Sequence, residues 1–256
     1  MHLPGLSTLV RGTGPALLLV HGAGGSVQAN YGPVLGTLTR HFTVVAPDLP
    51  GSGRSPLAAG PLDLERLADD VVAAAVSAGH DSFHLAGYSM GCAVAATIAV
   101  RHPERVGAMV LSAPFTRVDA ETRARIAEWR SLLDGPRGVL GRFVLSVMCS
   151  EGYLARLTPE QADGFAELVA ATVPAGTTGH IDLILEIDLA GLLPRVTRPT
   201  LVIGATRDRL LSPHLAREVA DLVPGSKYAD LACGHAISLE AAAPWADLIT
   251  GYLTSV

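Results

Sequence analysis

The pentapeptide Gly87-Tyr88-Ser89-Met90-Gly91 separates an apolar run, Phe83–Ala86, from a helix-length segment, Met90–Arg101. A strand that reverses sharply into a helix leaves the middle residue on a strained turn with its side chain projecting. Glycine suits both flanks, because a Cβ there would meet the neighbouring helix and strand. The serine then stands over a helix N-terminus, whose free N–H groups favour developing negative charge. That combination suits nucleophilic attack on a carbonyl. Taken alone, the five residues also fit a glycine-rich turn with no chemistry, so the weight falls on what accompanies them.

A second small-residue loop, His21-Gly22-Ala23-Gly24-Gly25-Ser26, follows the apolar run Ala16–Val20. Small side chains let the backbone approach a ligand and turn its N–H groups toward it. An oxyanion needs two such donors, and the amides of Ala23 and of Met90, directly after Ser89, are the expected pair. Gly22 and Gly24 are expected to lie against substrate, and Tyr88 either to lend its hydroxyl to the pocket or simply to pack. The loop matches neither the dinucleotide-binding G-x-G-x-x-G pattern nor a phosphate loop with its lysine. His21 reads as a brace for this loop. The turn Asp48-Leu49-Pro50-Gly51-Ser52-Gly53-Arg54-Ser55 reads as structural too, with Asp48 holding it rather than reacting.

A serine nucleophile needs a base, and the base an orienting acid. Of the nine histidines, His235 in Cys233-Gly234-His235-Ala236 follows the run Lys227–Leu231 and so emerges at the same edge as Ser89. Asp208 follows the run Thr200–Ile203, and loops after adjacent parallel strands converge, so Asp208 can reach His235. Asp119 is a rival acid, but it lies seven residues past its own strand, Val106–Ser112. His84 reads as packed within a strand, and His41, His80, His102 and His214 fall at helix ends or turns. His180 lies in a helical stretch, suited to touching substrate rather than to standing beside the serine.

These residues require a parallel sheet to bring them together. The runs Ala16–Val20, Phe42–Ala46, Phe83–Ala86, Val106–Ser112, Thr200–Ile203 and Lys227–Leu231 read as strands, and most are apolar without polar alternation, as strands covered on both faces are. Helical segments near Gln28–Arg40, Leu64–Ala78, Met90–Arg101, Pro213–Asp221 and Ala241–Leu253 alternate with them, which predicts a doubly wound α/β sheet. From Phe115 to Leu193 no strand is evident; helices are expected near Ala120–Leu133, Gly138–Cys149, Pro159–Thr172 and Ile181–Leu189. The predicted organisation is a core of residues 1–114 and 194–256 with a helical lid, residues 115–193, over the edge where such sheets bind ligands. The lid carries Arg123, Arg125, Arg130, Arg137, Arg142 and Arg156. Most should be solvated, and one turned inward would favour an acidic substrate.

Composition sets outer limits. The chain has 256 residues, enough for one large α/β domain, and it is 49% hydrophobic and 17% charged, outside the range of disordered chains. A formal net charge of −5 without a basic stripe argues against nucleic acid as a partner. Three cysteines, Cys92, Cys149 and Cys233, read as reduced thiols, and Cys92, behind the serine, as a packed one. Residues 1–5 carry neither the charged nor the apolar stretch of a leader, and the apolar runs are too short to span a bilayer. A cytoplasmic protein with no membrane partner is expected, acting on a small molecule, with homodimerisation left open.

The order Ser89, Asp208, His235, with the elbow at residues 87–91, the His21-Gly22 loop and the turn after Asp48, resembles the α/β-hydrolase superfamily over nearly the whole chain. Pro199-Thr200-Leu201-Val202-Ile203 leading into Asp208, and Gly234-His235 with Glu240 soon after, are similar to it as well. Within it the chain looks most like the small lid-bearing esterases and enol-lactonases. The resemblance implies a Ser–His–Asp triad and an acyl-enzyme, without metal or organic cofactor, acting on an ester, lactone or thioester. Relatives on the same fold include C–C bond hydrolases, lyases, acyltransferases, cyclases and ligand-binding receptors, which remain the alternatives. The superfamily sheet usually has eight strands. The short N-terminal stretch here leaves room for Leu6–Val10 as the sole leading strand, giving about seven.

Overall fold

The computed structural model describes residues 5–256; the part of the leader reading that concerns residues 1–4 lies outside them. Seven strands form one sheet: β1 (Thr8–Arg11), β2 (Ala16–Val20), β3 (Thr43–Pro47), β4 (Phe83–Tyr88), β5 (Val106–Ser112), β6 (Thr200–Ala205) and β7 (Lys227–Leu231). Their order is β1-β3-β2-β4-β5-β6-β7, with β1 antiparallel to β3 and every other pairing parallel. The leading strand thus starts two residues later than expected from sequence, at the sheet edge.

Successive side chains of a strand point to opposite faces, and here both faces are apolar. Leu18 and Val20 of β2 face a layer that contains α2 (Leu64–Ser77), α3 (Met90–Arg101) and α9 (His214–Leu222). Leu17 and Leu19 face the other layer, with α1 (Val27–Leu38), α10 (Ile237–Glu240) and α11 (Ala242–Leu253). All five residues of β2 and all six of β6 are buried, which explains why these strands read as continuous apolar runs.

The chain passes from β2 outward to β3 and returns to β4 on the other side of β2. The loops after β2 and β4 therefore leave the same edge in opposite directions and open a crevice between them, the topological switch point of such sheets. Between β5 and β6 lie α4 (Ala120–Leu132), α5 (Arg137–Met148), α6 (Glu151–Leu154), α7 (Pro159–Thr172) and α8 (Thr177–Glu186). The last of these begins at Thr177 rather than near Ile181. Its first turn follows Gly176, whose amide donates to Gly51 O at 3.0 Å, a tertiary contact with no local signal. The one-turn helices α6 and α10 are too short for any periodicity to announce. Among the described residues, no single helix is long and apolar enough to cross a membrane.

Candidate active site

Ser89 sits between β4 and α3 with φ 54° and ψ −124°, a conformation that costs about 1–3 kcal/mol in an L-residue and persists only where its surroundings enforce it. They do. A Cβ on Gly87 would stand 2.6 Å from Gly91 O, and one on Gly91 would overlap the carbonyl oxygens of Val20 and His21. The Ser89 amide donates to Ser112 O at 2.9 Å, tying the turn to the end of β5.

The His235 loop after β7 and the Asp208 loop after β6 converge on this turn. His235 Nε2 lies 3.0 Å from Ser89 Oγ, and His235 Nδ1 lies 2.6 Å from Asp208 Oδ2. The other carboxylate oxygen, Asp208 Oδ1, accepts from the amides of Leu210 and Leu211, each at 2.9 Å. All three side chains are buried, with Ser89, Asp208 and His235 exposing 5%, 8% and 1% of their surface. Since a carboxylate only accepts, Nδ1 carries the proton and Nε2 turns its lone pair to the serine hydroxyl. Tyr88 donates its hydroxyl to His235 O at 2.6 Å, so the ring forms part of the wall while the hydroxyl braces the histidine loop.

The loop after β2 is held from three sides. Gly22 N donates to Asn30 Oδ1 at 2.9 Å, and Gly24 N donates to His180 Nδ1 at 3.3 Å. His21 donates from Nδ1 to Gly22 O and accepts at Nε2 from Leu49 N, both at 2.8 Å. Among the described residues, the amide of Ala23, between two engaged neighbours, has no acceptor, and neither has that of Met90, at the first position of α3. Burial pushes His21 down to about 4, and burial with the nearby His21 pushes His180 down to about 4, so both rings are neutral at pH 7. His180, expected near substrate, is instead a strut between α8, the Ala23 loop and Pro50 O, 3.1 Å from its Nε2. Gly24, expected against substrate, turns away with φ 64° and packs on Trp129, so it lies outside the cavity wall.

The remaining sequence candidates take structural places. Asp48 Oδ1 accepts from Val27 N at 2.8 Å, and Asp119 caps α4 by accepting from Thr122 N at 2.7 Å. His84 is half-buried, with an unpartnered Nδ1. The Cys92 thiol is buried and donates to Ser112 O at 3.2 Å; burial raises its pKa, the state of an inert packed thiol. Glu240 accepts from Ser150 N and Oγ, joining the start of α6 to α10. Among the described residues, no three His, Cys, Asp or Glu side chains are grouped so as to hold a metal ion.

A cavity of about 20 Å³, room for about one water, adjoins Ser89. Gly22, Ala23, Asn30, Tyr88 and His235 line it from the core, joined by Leu210 and Leu211. Ile126 and Trp129 of α4, Met148 of α5 and Ile184 of α8 complete it. The sequence reading missed these apolar residues. The available signal was Ile126 and Trp129, three apart and the two largest apolar side chains before Leu132 in an otherwise charged helix. None of the six arginines named above is among the lining residues. Arg123, Arg125 and Arg137 donate to carbonyls of Leu185, Leu210 and Ala170, Arg130 and Arg142 pair with Asp182 and Asp163, and Arg156 lies over Tyr153.

Residues 15–242 match the family model described as the alpha/beta hydrolase fold. The chain belongs to this family. It is 32% identical over 255 residues to a pyrrolizixenacetamide deacetylase of Xenorhabdus hominickii, covering 98% of this chain and 95% of that protein. It is 29% identical to a 2-hydroxymuconate semialdehyde hydrolase of a Pseudomonas species, covering 94% of this chain and 88% of the other. The enol-lactonase of Burkholderia xenovorans superposes with a TM-score of 0.85 at 25% identity, over 97% and 96% of the two chains. With hydrolases as its relatives across the full length, this α/β-hydrolase is an enzyme of hydrolytic type.

Proposed function

We propose that this α/β-hydrolase cleaves an ester-type bond of a small molecule (carboxylic ester, lactone or thioester) through an acyl-enzyme on Ser89. The observation that carries the reading is the buried hydrogen-bonded chain from Ser89 Oγ through His235 to Asp208, at 3.0 and 2.6 Å. His235 Nε2 takes the hydroxyl proton as Ser89 Oγ attacks the carbonyl carbon. Asp208, its charge stabilised by two backbone amides, holds the imidazole in the required tautomer and favours the imidazolium. The free amides of Ala23 and Met90 receive the oxyanion, a contribution of about 10²–10³ in rate per donor. His235 then protonates the leaving group, and later deprotonates the water that attacks the acyl-enzyme and releases the acid.

The walls supplied by α4, α5 and α8 make the helical insert a cover over the nucleophile. A cavity with room for one water admits an acyl group only when those side chains yield, so the insert selects for small, mostly apolar acyl groups. A second reading, removal of an acetyl group from an amide, is favoured by the relative at 32% identity, whose name is that of a deacetylase.

The test is a panel of p-nitrophenyl acetate, a thioester, a γ-lactone and p-nitroacetanilide, assayed with wild type and Ser89→Ala. Serine-dependent turnover of the oxygen or sulfur esters far above the anilide supports the ester reading. The reverse preference supports the amide reading. Turnover that survives Ser89→Ala overturns both.

A further inference from the structure

Five buried side-chain polar atoms have no hydrogen-bond partner among the described residues: Ser52 Oγ, His84 Nδ1, Thr116 Oγ1, Trp129 Nε1 and Arg198 Nε. Only one of them, Trp129 Nε1, belongs to a residue that lines the Ser89 cavity. Trp129 is 94% buried by its 6% exposure, so bulk water does not serve this donor. Its ring is held close to the Ala23 loop. A Cβ on Gly24 would stand 2.7 Å from Trp129 Cζ2, and Nε1 is two bonds from that atom. The other tryptophan shows the usual arrangement, with Trp245 Nε1 donating to Ser112 Oγ at 2.8 Å.

A buried donor left without an acceptor costs about 1–3 kcal/mol, a cost that a phenylalanine, which has no N–H, would not carry. Of the other lining residues, Ile126, Met148, Ile184, Leu210 and Leu211 offer no side-chain acceptor beyond the Met148 thioether, a weak one. The polar ones are engaged elsewhere: Asn30 Oδ1 with Gly22 N, the Tyr88 hydroxyl with His235 O, and Ser89 Oγ with His235 Nε2. The ligand must bring its own. We infer that Trp129 Nε1 donates a hydrogen bond to an oxygen of the substrate's acyl group other than the scissile carbonyl, so that the enzyme prefers compact acyl groups carrying an ether, hydroxyl or carbonyl oxygen near that carbon. The inference rests on the acyl-enzyme reading above and deepens it. Trp129 is a specificity residue: it discriminates because an all-carbon chain leaves its N–H unpaired, whereas an oxygen at that place satisfies it.

Paired isosteric esters test this: p-nitrophenyl butyrate against p-nitrophenyl methoxyacetate, and pentanoate against 3-methoxypropanoate, with wild type and Trp129→Phe. The intrinsic reactivity of each ester cancels in the comparison of the two proteins. The expected result, in at least one pair, is that Trp129→Phe lowers kcat/KM for the oxygen-bearing ester about tenfold more than for its hydrocarbon partner. Equal losses within both pairs overturn the inference, because a merely structural role for the ring lowers both alike. Ser89→Ala separates the two proposals: turnover that survives it sinks the acyl-enzyme reading, whereas its loss with equal ratios sinks only the role of Trp129.

A readout without turnover uses the two indole N–H resonances of ¹⁵N-tryptophan-labelled Ser89→Ala protein. Titration with methoxyacetamide and 3-methoxypropanamide, against butyramide and pentanamide, should move the Trp129 resonance further with at least one ether than with its hydrocarbon partner, and leave Trp245 in place. Identical Trp129 shifts within both pairs overturn the inference.

Discussion

The carboxyl edge of the sheet and the helical insert between β5 and β6 are built on different principles. At the edge, each triad residue is held by close backbone contacts or hydrogen bonds at the ends of the strands. Ser89 is wedged by glycines that touch β2 and α3, Asp208 is pinned by two amides, and His235 is braced by the Tyr88 hydroxyl. The insert is buried unevenly: α7 buries only Ala166 and Ala170, whereas α8 buries Thr177, His180, Ile181, Leu183 and Ile184. It meets the edge through hydrogen bonds at His180, Gly176, Ser150, Met148 O and Thr122, and through side chains of α4 and α8 that pack into the apolar cluster of the sheet. Yet the insert supplies Ile126, Trp129, Met148 and Ile184 to the cavity. In the proposed mechanism, bond cleavage falls to the edge and selection of the acyl group to the insert.

Damage at the edge should therefore fall on kcat. Asp208→Asn has the largest expected effect. With Oδ1 held by the Leu210 and Leu211 amides, the asparagine NH₂ faces His235 Nδ1 and forces the proton onto Nε2, where it points at Ser89. A loss of about 10⁴ in kcat is expected with the fold intact, measured by steady-state kinetics beside circular dichroism. Retention of more than a tenth of the activity would detach Asp208 from the chemistry.

Gly91→Ala comes next. Its Cβ runs into backbone carbonyls of Val20 and His21, neither of which is a flexible side-chain end, so a loss of about 3 kcal/mol in urea unfolding is expected. A variant as stable as wild type would show the edge to be more pliant than described.

Acid should act on the junction of the two regions. The folded protein holds His21 and His180 neutral down to about pH 4, whereas the unfolded chain takes up protons below about 6.5. Stability is then full above pH 6.5 and falls as pH drops toward 4, by about 3 kcal/mol per histidine. His180→Asn removes one of three histidines whose pKa burial lowers, half-buried His84 being the least shifted, so the slope of unfolding free energy against pH over that window should fall by about a third to a half. An unchanged slope would mean that His180 is already charged.

Least of all is Thr158→Ala, which removes the capping box of α7. It should cost about 1 kcal/mol and leave kcat/KM unaltered, because α7 does not reach the cavity. A change in kcat/KM would show that the insert is coupled to the edge more tightly than its contacts imply.

What was legible in sequence follows the same division. Ser89, Asp208 and His235 each follow a strand by a few residues, and a parallel sheet places such loops at one edge, so their meeting could be argued from order alone. Cavity walls such as Trp129 and Ile184 depend on how separate helices dock. The one local hint is the spacing of Ile126 and Trp129 in α4, which marks an apolar face without saying what it covers. His180 was mistaken for a substrate contact because its partners, Gly24 and Pro50, lie more than a hundred residues away. Of the insert's arginines, Arg123, Arg137, Arg142 and Arg156 are exposed, as expected of most of them, while Arg125 and Arg130 are half-buried against Leu210 O and Asp182.

The central claim, an activated Ser89 at a rigid edge, is tested most directly by intact-mass spectrometry after incubation with a fluorophosphonate, using wild type, Ser89→Ala and His235→Ala. The account predicts a single stoichiometric adduct on wild type, none on Ser89→Ala and slow labelling of His235→Ala. A folded wild-type protein that takes no adduct, or an adduct that persists in Ser89→Ala, would contradict it.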